Sequence, residues 1–180
     1  MAVDRERFER VYRDHYDAVL RYCLRRCNRE DGLDAAAETF MIAWRRRDVV
    51  PDGYELPWLY GVARRVVANQ RRSVGRYKTA LTRLHVVATD VRNEPEVQVL
   101  RSEEADDVAN ALGRLRSADR EVILLAGWEE LNRDELAASY GCTPNAITKR
   151  LNRALDRLGR ELGVVERSRG GFFGRRRVAK

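Results

Sequence analysis

Hydrophobic residues recur at spacings of three and four along most of this chain, the pattern of helices with one buried face. In the first half the pattern predicts three helices, over residues 8–27, from about 33 to 47, and from 58 to about 72. We expect residues 29–32 to end the first helix and separate it from the second. A turn at residues 51–53, Pro-Asp-Gly, should separate the second from the third.

The second half contains a helix-turn-helix pattern between residues 132 and 162. Asn132 and Glu135 have the spacing of a capping box, and Gly141 suits a left-handed helix end. Thr143 precedes a proline, as an N-cap residue often does. Two shorter helices should come before this motif, the second capped by Ser117. The last helix carries an apolar stripe, and its other faces hold Asn145, Thr148, Lys149, Arg150, Asn152, Arg153, Arg157 and Arg160.

A basic second helix after a tight turn can enter a DNA major groove. An ordinary helical hairpin with a solvated basic face is the alternative interpretation. The formal net charge of +7 favours a polyanionic partner. Residues 61–84 are basic without any acid, whereas residues 85–107 are mainly acidic. We therefore expect small domains at residues 1–84 and 108–163, a partly helical linker at 85–107, and a disordered basic tail at 164–180.

Three aromatic residues should lie beside the basic surface of the third helix: Tyr54, Trp58 and Tyr60. Basic groups with adjacent aromatic rings can hold unstacked single-stranded bases, although core packing is at least as good an interpretation of Trp58 alone. The residues of this surface are Tyr54, Trp58, Arg64, Arg65, Asn69, Arg71 and Arg72.

The three cysteines, Cys23, Cys27 and Cys142, indicate a reducing compartment, because their number is odd and no signal peptide precedes them. Cys23 and Cys27 are one helical turn apart, which is compatible with zinc binding or redox sensing. His15 is the nearest further ligand and a fourth is not evident, so we expect buried reduced thiols. No apolar run is long enough to span a membrane. We expect a soluble cytoplasmic protein without membrane insertion.

The sequence contains no Gly-rich phosphate loop, no HExxH and no GxSxG motif. Asp34 and Glu38 share one face of the second helix, where like charges are mildly unfavourable and an external basic partner would offset the cost. Solvated carboxylates and a carboxylate metal site are the alternatives. A di-metal site of that type needs Glu-x-x-His motifs, which are absent. We therefore expect no enzymatic activity and no cofactor.

Four stretches together resemble the extracytoplasmic-function (group IV) sigma factors of the sigma-70 family of bacterial RNA polymerase. DAAAETFMIAWR at 34–45 resembles region 2.2, and PWLYGVARR at 57–65, continued to 72, resembles regions 2.3 and 2.4. LRSADREVILL at 115–125 resembles region 4.1. The stretch from ELA at 135–137 through ITKRLNRA at 147–154 resembles region 4.2. Glu130 stands where the family frequently has glycine.

The resemblance implies an all-α fold in which two small helical domains, sigma region 2 and sigma region 4 with its helix-turn-helix, are joined by a flexible linker. It implies a sigma factor that binds core RNA polymerase, directs promoter-specific transcription initiation and assists promoter melting. An anti-sigma factor is the implied regulatory partner, and the free protein is expected to be a monomer. The main alternative is a repressor or activator that uses only the C-terminal helix-turn-helix and dimerises through its first domain.

The resemblance also assigns roles to residues. The RNA polymerase-binding residues would be Asp34, Glu38, Thr39, Phe40 and Trp44. The minus-ten element would be bound by Tyr54, Trp58, Arg64, Arg65, Asn69, Arg71 and Arg72. The minus-thirty-five element would be bound by Thr143, Asn145, Thr148, Lys149, Arg150, Asn152 and Arg153.

Overall fold

The structure, a computed structural model, describes residues 2–83 and 103–163, with side chains over 5–73 and 105–163. The described residues form helices and contain no strand. The chain divides into two compact units, Met1–Val97 and Gln98–Lys180. None of the helices in the described residues is long and apolar enough to cross a bilayer.

The first unit contains the three predicted helices: α1 is Ala2–Leu24, α2 is Arg29–Arg45 and α3 is Glu55–Arg83. A short 3-10 turn, Arg47–Val49, follows α2. The three helices pack against one another around a common core. The residues that fill this core are Val19, Tyr22, Cys23, Ala35, Ala36, Ala43, Leu59, Val62, Ala63, Val66 and Val67.

The expectation that residues 29–32 separate the first two helices was wrong. The Asn28 side chain accepts a hydrogen bond of 2.8 Å from the Asp31 backbone N–H and caps α2, so Gly32 lies inside the helix. A Cβ on Gly32 would lie 2.9 Å from Cδ2 of Leu24 and 3.2 Å from its Cα. Gly32 is therefore a point of close approach between α1 and α2, and the chain reverses before it.

The second unit contains α4, Glu103–Arg114, α5, Ser117–Gly127, α6, Arg133–Tyr140, and α7, Pro144–Glu161. Helix α4 begins within the stretch expected to be a linker; residues 84–102 and the expected tail at 164–180 lie outside the described residues. The expected Ser117 cap was wrong, because Ser117 is the first residue of α5 and Arg116 occupies the N-cap position without a side-chain hydrogen bond.

The helix-turn-helix is formed by α6 and α7, and its predicted boundaries are confirmed. Asn132 Oδ1 accepts hydrogen bonds of 2.9 and 3.0 Å from the backbone N–H groups of Asp134 and Glu135. Glu135 Oε2 accepts one of 2.8 Å from the Asn132 backbone N–H, which completes the capping box. Gly141 ends α6 with a φ of 62°, in the left-handed region.

Helix α7 is held by apolar packing and by two ion pairs. It packs against α4, α5 and α6 through a fully buried stripe. Arg157 Nη1 donates to Oδ2 of the buried Asp119 in α5 at 2.6 Å. Arg114 Nε, in α4, donates to Glu161 Oε2 at 2.9 Å. Near its C-terminal end α7 is thus held by polar contacts to α4 and α5.

Candidate nucleic-acid interfaces and partner surface

The exposed surface of α7 is mainly polar, because a stripe of apolar residues faces the core and Ala146 is the exposed apolar residue of the helix. Ile147, Leu151 and Ala154 have no exposed area. Their spacings of four and three leave the remaining positions of the helix facing solvent. The exposed residues on these faces that were predicted to bind DNA are Asn145, Lys149, Arg150, Asn152 and Arg153.

The two threonines predicted to bind DNA use their hydroxyl groups within the helix. Thr143 Oγ1 accepts a hydrogen bond of 3.3 Å from the Ala146 backbone N–H and caps α7. Thr148 Oγ1 donates to the Pro144 carbonyl at 2.8 Å and is half-buried. Thr143 therefore determines where α7 begins, and Thr148 offers its methyl group more readily than its hydroxyl.

The basic side chains of α7 differ in the contacts that they make with the protein itself. The Arg150 guanidinium lies 5.0 Å from the centre of the Tyr140 ring, a cation–π contact that joins α7 to α6. Arg153 Nε donates to the Lys149 carbonyl at 3.1 Å, within the exposed surface of the same helix. The first turn of α7 contains no acid, so the positive end of its dipole is not neutralised there. Phosphate or base edges can meet this end of the helix without encountering a carboxylate on it.

A second basic cluster lies on α3. The pKa of Arg65 is lowered, first because its guanidinium is partly buried and then because the positive charges of Arg64 and Arg46 lie nearby. Arg46, at the C-terminal end of α2, was not predicted, since only the packing of α2 against α3 brings it to this cluster. The positive charges of these neighbouring arginines repel one another, and a bound anion would relieve the repulsion.

The remaining polar residues predicted on α3 contact the protein itself. Arg71 Nη2 donates to the Arg26 carbonyl, just beyond the end of α1. Arg72 donates to Asn69 Oδ1 one turn earlier on the same helix, and both side chains are exposed. Arg71 thus ties α3 to α1, whereas Arg72 and Asn69 form an exposed polar pair.

The predicted aromatic residues lie at the start of α3. Tyr54 is 39% exposed at the end of the turn before the helix. Trp58 is half-buried in the first turn of α3. Tyr60 is buried, with its ring centre 5.1 Å from that of Tyr22, and belongs to the core. Tyr54 and Trp58 therefore offer the aromatic surface at this end of the basic helix.

The residues predicted to bind polymerase divide into an exposed and a buried group. Asp34 and Glu38 are exposed on one face of α2, and Trp44 is 41% exposed. Thr39 has no exposed area, and its Oγ1 donates to the Ala35 carbonyl at 2.7 Å. Phe40 is 4% exposed. The side chains of Thr39 and Phe40 consequently support the surface of α2 from beneath.

Aromatic packing between α1 and α2 underlies that surface. The Phe40 ring lies 4.8 Å from the Tyr12 ring and 5.8 Å from the Tyr16 ring. The Trp44 ring meets Phe8 edge to face at 5.0 Å. Tyr12 and Trp44 remain about two-fifths exposed. These two rings give this side of the unit apolar surface of the kind that protein partners cover.

The cysteines differ in exposure, so the expectation of buried thiols is only partly correct. Cys23 is buried, Cys27 is half-buried and Cys142, which follows the end of α6, is exposed; all three are free. Burial raises the pKa of the Cys27 thiol, partly opposed by the nearby positive charge of Arg71. A raised pKa lowers the fraction of reactive thiolate. Among the described residues no group of His, Cys, Asp and Glu side chains is arranged to hold a metal ion.

Comparisons with known families match both units. The family model for sigma-70 region 2 matches residues 11–77, and that for sigma-70 region 4 matches residues 105–158. The chain is similar to RNA polymerase sigma factor YlaC of Bacillus subtilis, with 26% identity over 153 residues that cover 83% of this chain and 88% of YlaC. It is 31% identical to RNA polymerase sigma factor CnrH of Cupriavidus metallidurans over 137 residues, 69% of this chain and 70% of CnrH.

A solved structure shares the fold. It is the sigma factor RpoE of Bartonella quintana in complex with the anti-sigma factor NepR. The match has a TM-score of 0.61 and 23% sequence identity, and it covers 89% of this chain and 99% of RpoE.

Proposed function

This chain belongs to the extracytoplasmic-function sigma factors of the sigma-70 family, and we propose that its two helical units divide promoter recognition between them. As a sigma factor it binds core RNA polymerase and promoter DNA and directs promoter-specific transcription initiation. In our proposal the first unit holds polymerase and the unpaired minus-ten strand. The second unit reads the duplex minus-thirty-five element.

The observation that carries the proposal is the exposed polar face of α7. A helix-turn-helix reads bases through side chains near the start of its second helix, because those side chains reach the floor of the major groove. Asn145, Lys149, Asn152 and Arg153 are exposed on this helix. Asparagine pairs well with adenine, and lysine or arginine with guanine. Arg150, which stacks on Tyr140, is better placed to hold phosphate.

The basic cluster of α3 supports a role in strand capture. Tyr54 and Trp58 offer aromatic rings on which bases can stack. The phosphates between the bases would be held by Arg64, Arg65 and Arg72, whereas Arg71 would support α3 through its contact with α1. Arg46 is added to this group because its charge acts on Arg65. Capture of extruded bases would lower the free energy of promoter opening.

The exposed acids of α2 support polymerase binding by the same unit. Asp34 and Glu38 repel each other mildly within the helix, and a basic surface on polymerase would remove that cost. The partly exposed Trp44, further along α2, supplies apolar contact area. Thr39 and Phe40 act by keeping this surface in place.

Sigma factors are non-enzymatic initiation factors, and we propose that this chain has no catalytic activity of its own. RpoE of Bartonella quintana was solved with its anti-sigma factor, and we propose that this chain too is regulated by an anti-sigma factor. We further propose that it acts in the cytoplasm and is a monomer when free.

The test begins with binding of the purified protein to core polymerase and transcription from a genomic promoter library. We expect tight core binding and a restricted set of promoters that share two sequence elements. Failure to bind core, together with specific duplex binding by the protein alone, would favour the repressor alternative.

A second experiment tests the division of labour in the first unit. Arg64→Ala with Arg72→Ala should reduce open-complex formation and leave core binding unchanged. The matched control is Arg5→Ala with Arg13→Ala, which removes two exposed cations of α1. Equal losses of core binding and open complex in the Arg64 and Arg72 variant would contradict the proposal.

A further inference from the structure

Arg7 in α1 reaches the connection between α2 and α3 through three hydrogen bonds. Its Nη1 donates to the Arg47 carbonyl at 3.1 Å, and its Nη2 donates to the Val50 carbonyl and to Asp52 Oδ1, both at 2.6 Å. The Arg7 side chain is 28% exposed. One planar guanidinium thus joins two backbone carbonyls and a side chain that are 40 to 45 residues away in sequence.

These contacts add long-range anchors to a segment whose backbone hydrogen bonds are local: the Val49 N–H donates to the Arg46 carbonyl at 3.0 Å in the 3-10 turn. Within the connection, the Tyr54 backbone N–H donates to the Pro51 carbonyl at 3.2 Å, and Gly53 has a φ of 75°. This is a single turn, and local hydrogen bonds of this kind do not determine where the turn lies relative to the helices. Val50 is buried, while Asp52, Gly53 and Tyr54 are exposed. The two carbonyl contacts of Arg7 anchor the buried end of the connection.

The contact with Asp52 has a different consequence. The Asp52 carboxylate is 90% exposed, so its ion pair with Arg7 contributes little to stability. Asp52 lies two residues before Tyr54, and its negative charge would repel a DNA strand bound there. The positive charge of Arg7 at 2.6 Å offsets this repulsion.

We propose that Arg7 is a positioning residue for capture of the unpaired minus-ten strand, because it holds the turn at residues 51–54 so that Tyr54 stands at the start of the basic helix α3. Arg7 acts through the Arg47 and Val50 carbonyls and does not itself contact a base. This inference rests on the proposed role of the first unit in strand capture. It adds a residue of α1 to a site otherwise formed by α3, the turn before it and Arg46 at the end of α2.

The test uses holoenzyme assembled from core polymerase and the full chain. The probes are two forked promoter DNAs with a single-stranded minus-ten element, one intact and one abasic at the captured position. Arg7→Ala should lower affinity for the intact fork about tenfold, the effect of one displaced contact, with core affinity unchanged. It should also reduce the ratio of intact to abasic affinity, which a loss of folded protein would not change.

Three variants separate the roles of the contacts. Arg7→Lys should give intermediate fork affinity, because one ammonium group can reach a carbonyl but lacks the planar fork that joins two. Asp52→Asn should keep or raise fork affinity, since it removes an exposed negative charge and leaves both carbonyl contacts. Arg5→Ala is the matched control, because Arg5 pairs with Glu9 of the same helix. It should behave as the wild type.

The outcomes distinguish this inference from the proposed function. If wild-type holoenzyme binds intact and abasic forks equally, the strand-capture role of the first unit is wrong. If the wild type discriminates and Arg7→Ala keeps the same ratio, only the role of Arg7 is overturned. A loss of core affinity as large as the loss of fork affinity would also overturn it.

Discussion

Replacing Glu130 by glycine is expected to stabilise the second unit. Among the described residues Glu130 is the non-glycine residue with a positive φ, at 58°. The backbone around it is fixed, because the Glu129 N–H donates to the Leu124 carbonyl at 3.2 Å and the Leu131 N–H to the Leu125 carbonyl at 3.1 Å. The φ of Glu130 cannot relax without the loss of these bonds.

The magnitude follows from two opposing terms. A left-handed conformation costs a non-glycine residue about 1–2 kcal/mol. Glycine removes that cost, but it loses more conformational entropy on folding, and this loss destabilises the folded state by about 0.5–1 kcal/mol. The net contribution of these two backbone terms is therefore a stabilisation of about 0.5–1 kcal/mol. For a unit of this size it corresponds to a rise in Tm of about 3–6 °C.

The assay is thermal unfolding of the full chain, followed by circular dichroism. The matched control is Glu129→Gly, at the adjacent residue, which has no positive φ. That change should destabilise the same unit, because it adds the entropic cost of glycine where no positive φ is relieved. If Glu130→Gly has a Tm equal to or below that of the wild type, the backbone at this position is not strained and the reasoning is wrong.

Three further changes test the two interfaces and the helix packing. Arg153→Ala should cost about 1–3 kcal/mol in holoenzyme binding to a matched promoter at fixed salt, and less on unrelated DNA. A uniform loss would instead identify a phosphate contact. Asp34→Lys with Glu38→Lys should abolish core binding with unchanged helical content; retained core affinity would refute the assignment. Gly32→Ala should lower the unfolding free energy in urea by about 1–3 kcal/mol, because its Cβ would lie 2.9 Å from Leu24 Cδ2. Unchanged stability would show that the two helices separate easily.

The features of the fold that were predicted correctly are those determined by neighbouring residues. A capping box needs only Asn132 and Glu135 at the right spacing, and a left-handed end needs only Gly141. Gly32 was misinterpreted although the deciding signal is local too, because the Asn28 cap on the Asp31 N–H places Gly32 inside α2. The close approach of Gly32 to Leu24 of α1 is different, since a pattern read along one helix contains no information about that contact.

The candidate site shows the same limit. The resemblance assigned polymerase binding to residues of α2 but did not separate the exposed Asp34 and Glu38 from the buried Thr39 and Phe40. That separation depends on which side of α2 packs against α1. Arg46 was missed likewise, because it approaches Arg65 only through the packing of α2 against α3.

The net charge of this chain overstates how many cations are available to DNA. Arg26 is 8% exposed, with its guanidinium 3.6 Å from the Tyr22 ring centre, and Arg71 donates to the Arg26 carbonyl. Arg157 neutralises the buried Asp119. Such arginines act within the fold. Each phosphate of a single strand that a cation neutralises contributes about −0.7 to the slope of log affinity against log salt concentration. Replacing Arg71 should therefore weaken the packing of α3 on α1 and leave that slope nearly unchanged, so charge alone cannot identify its role.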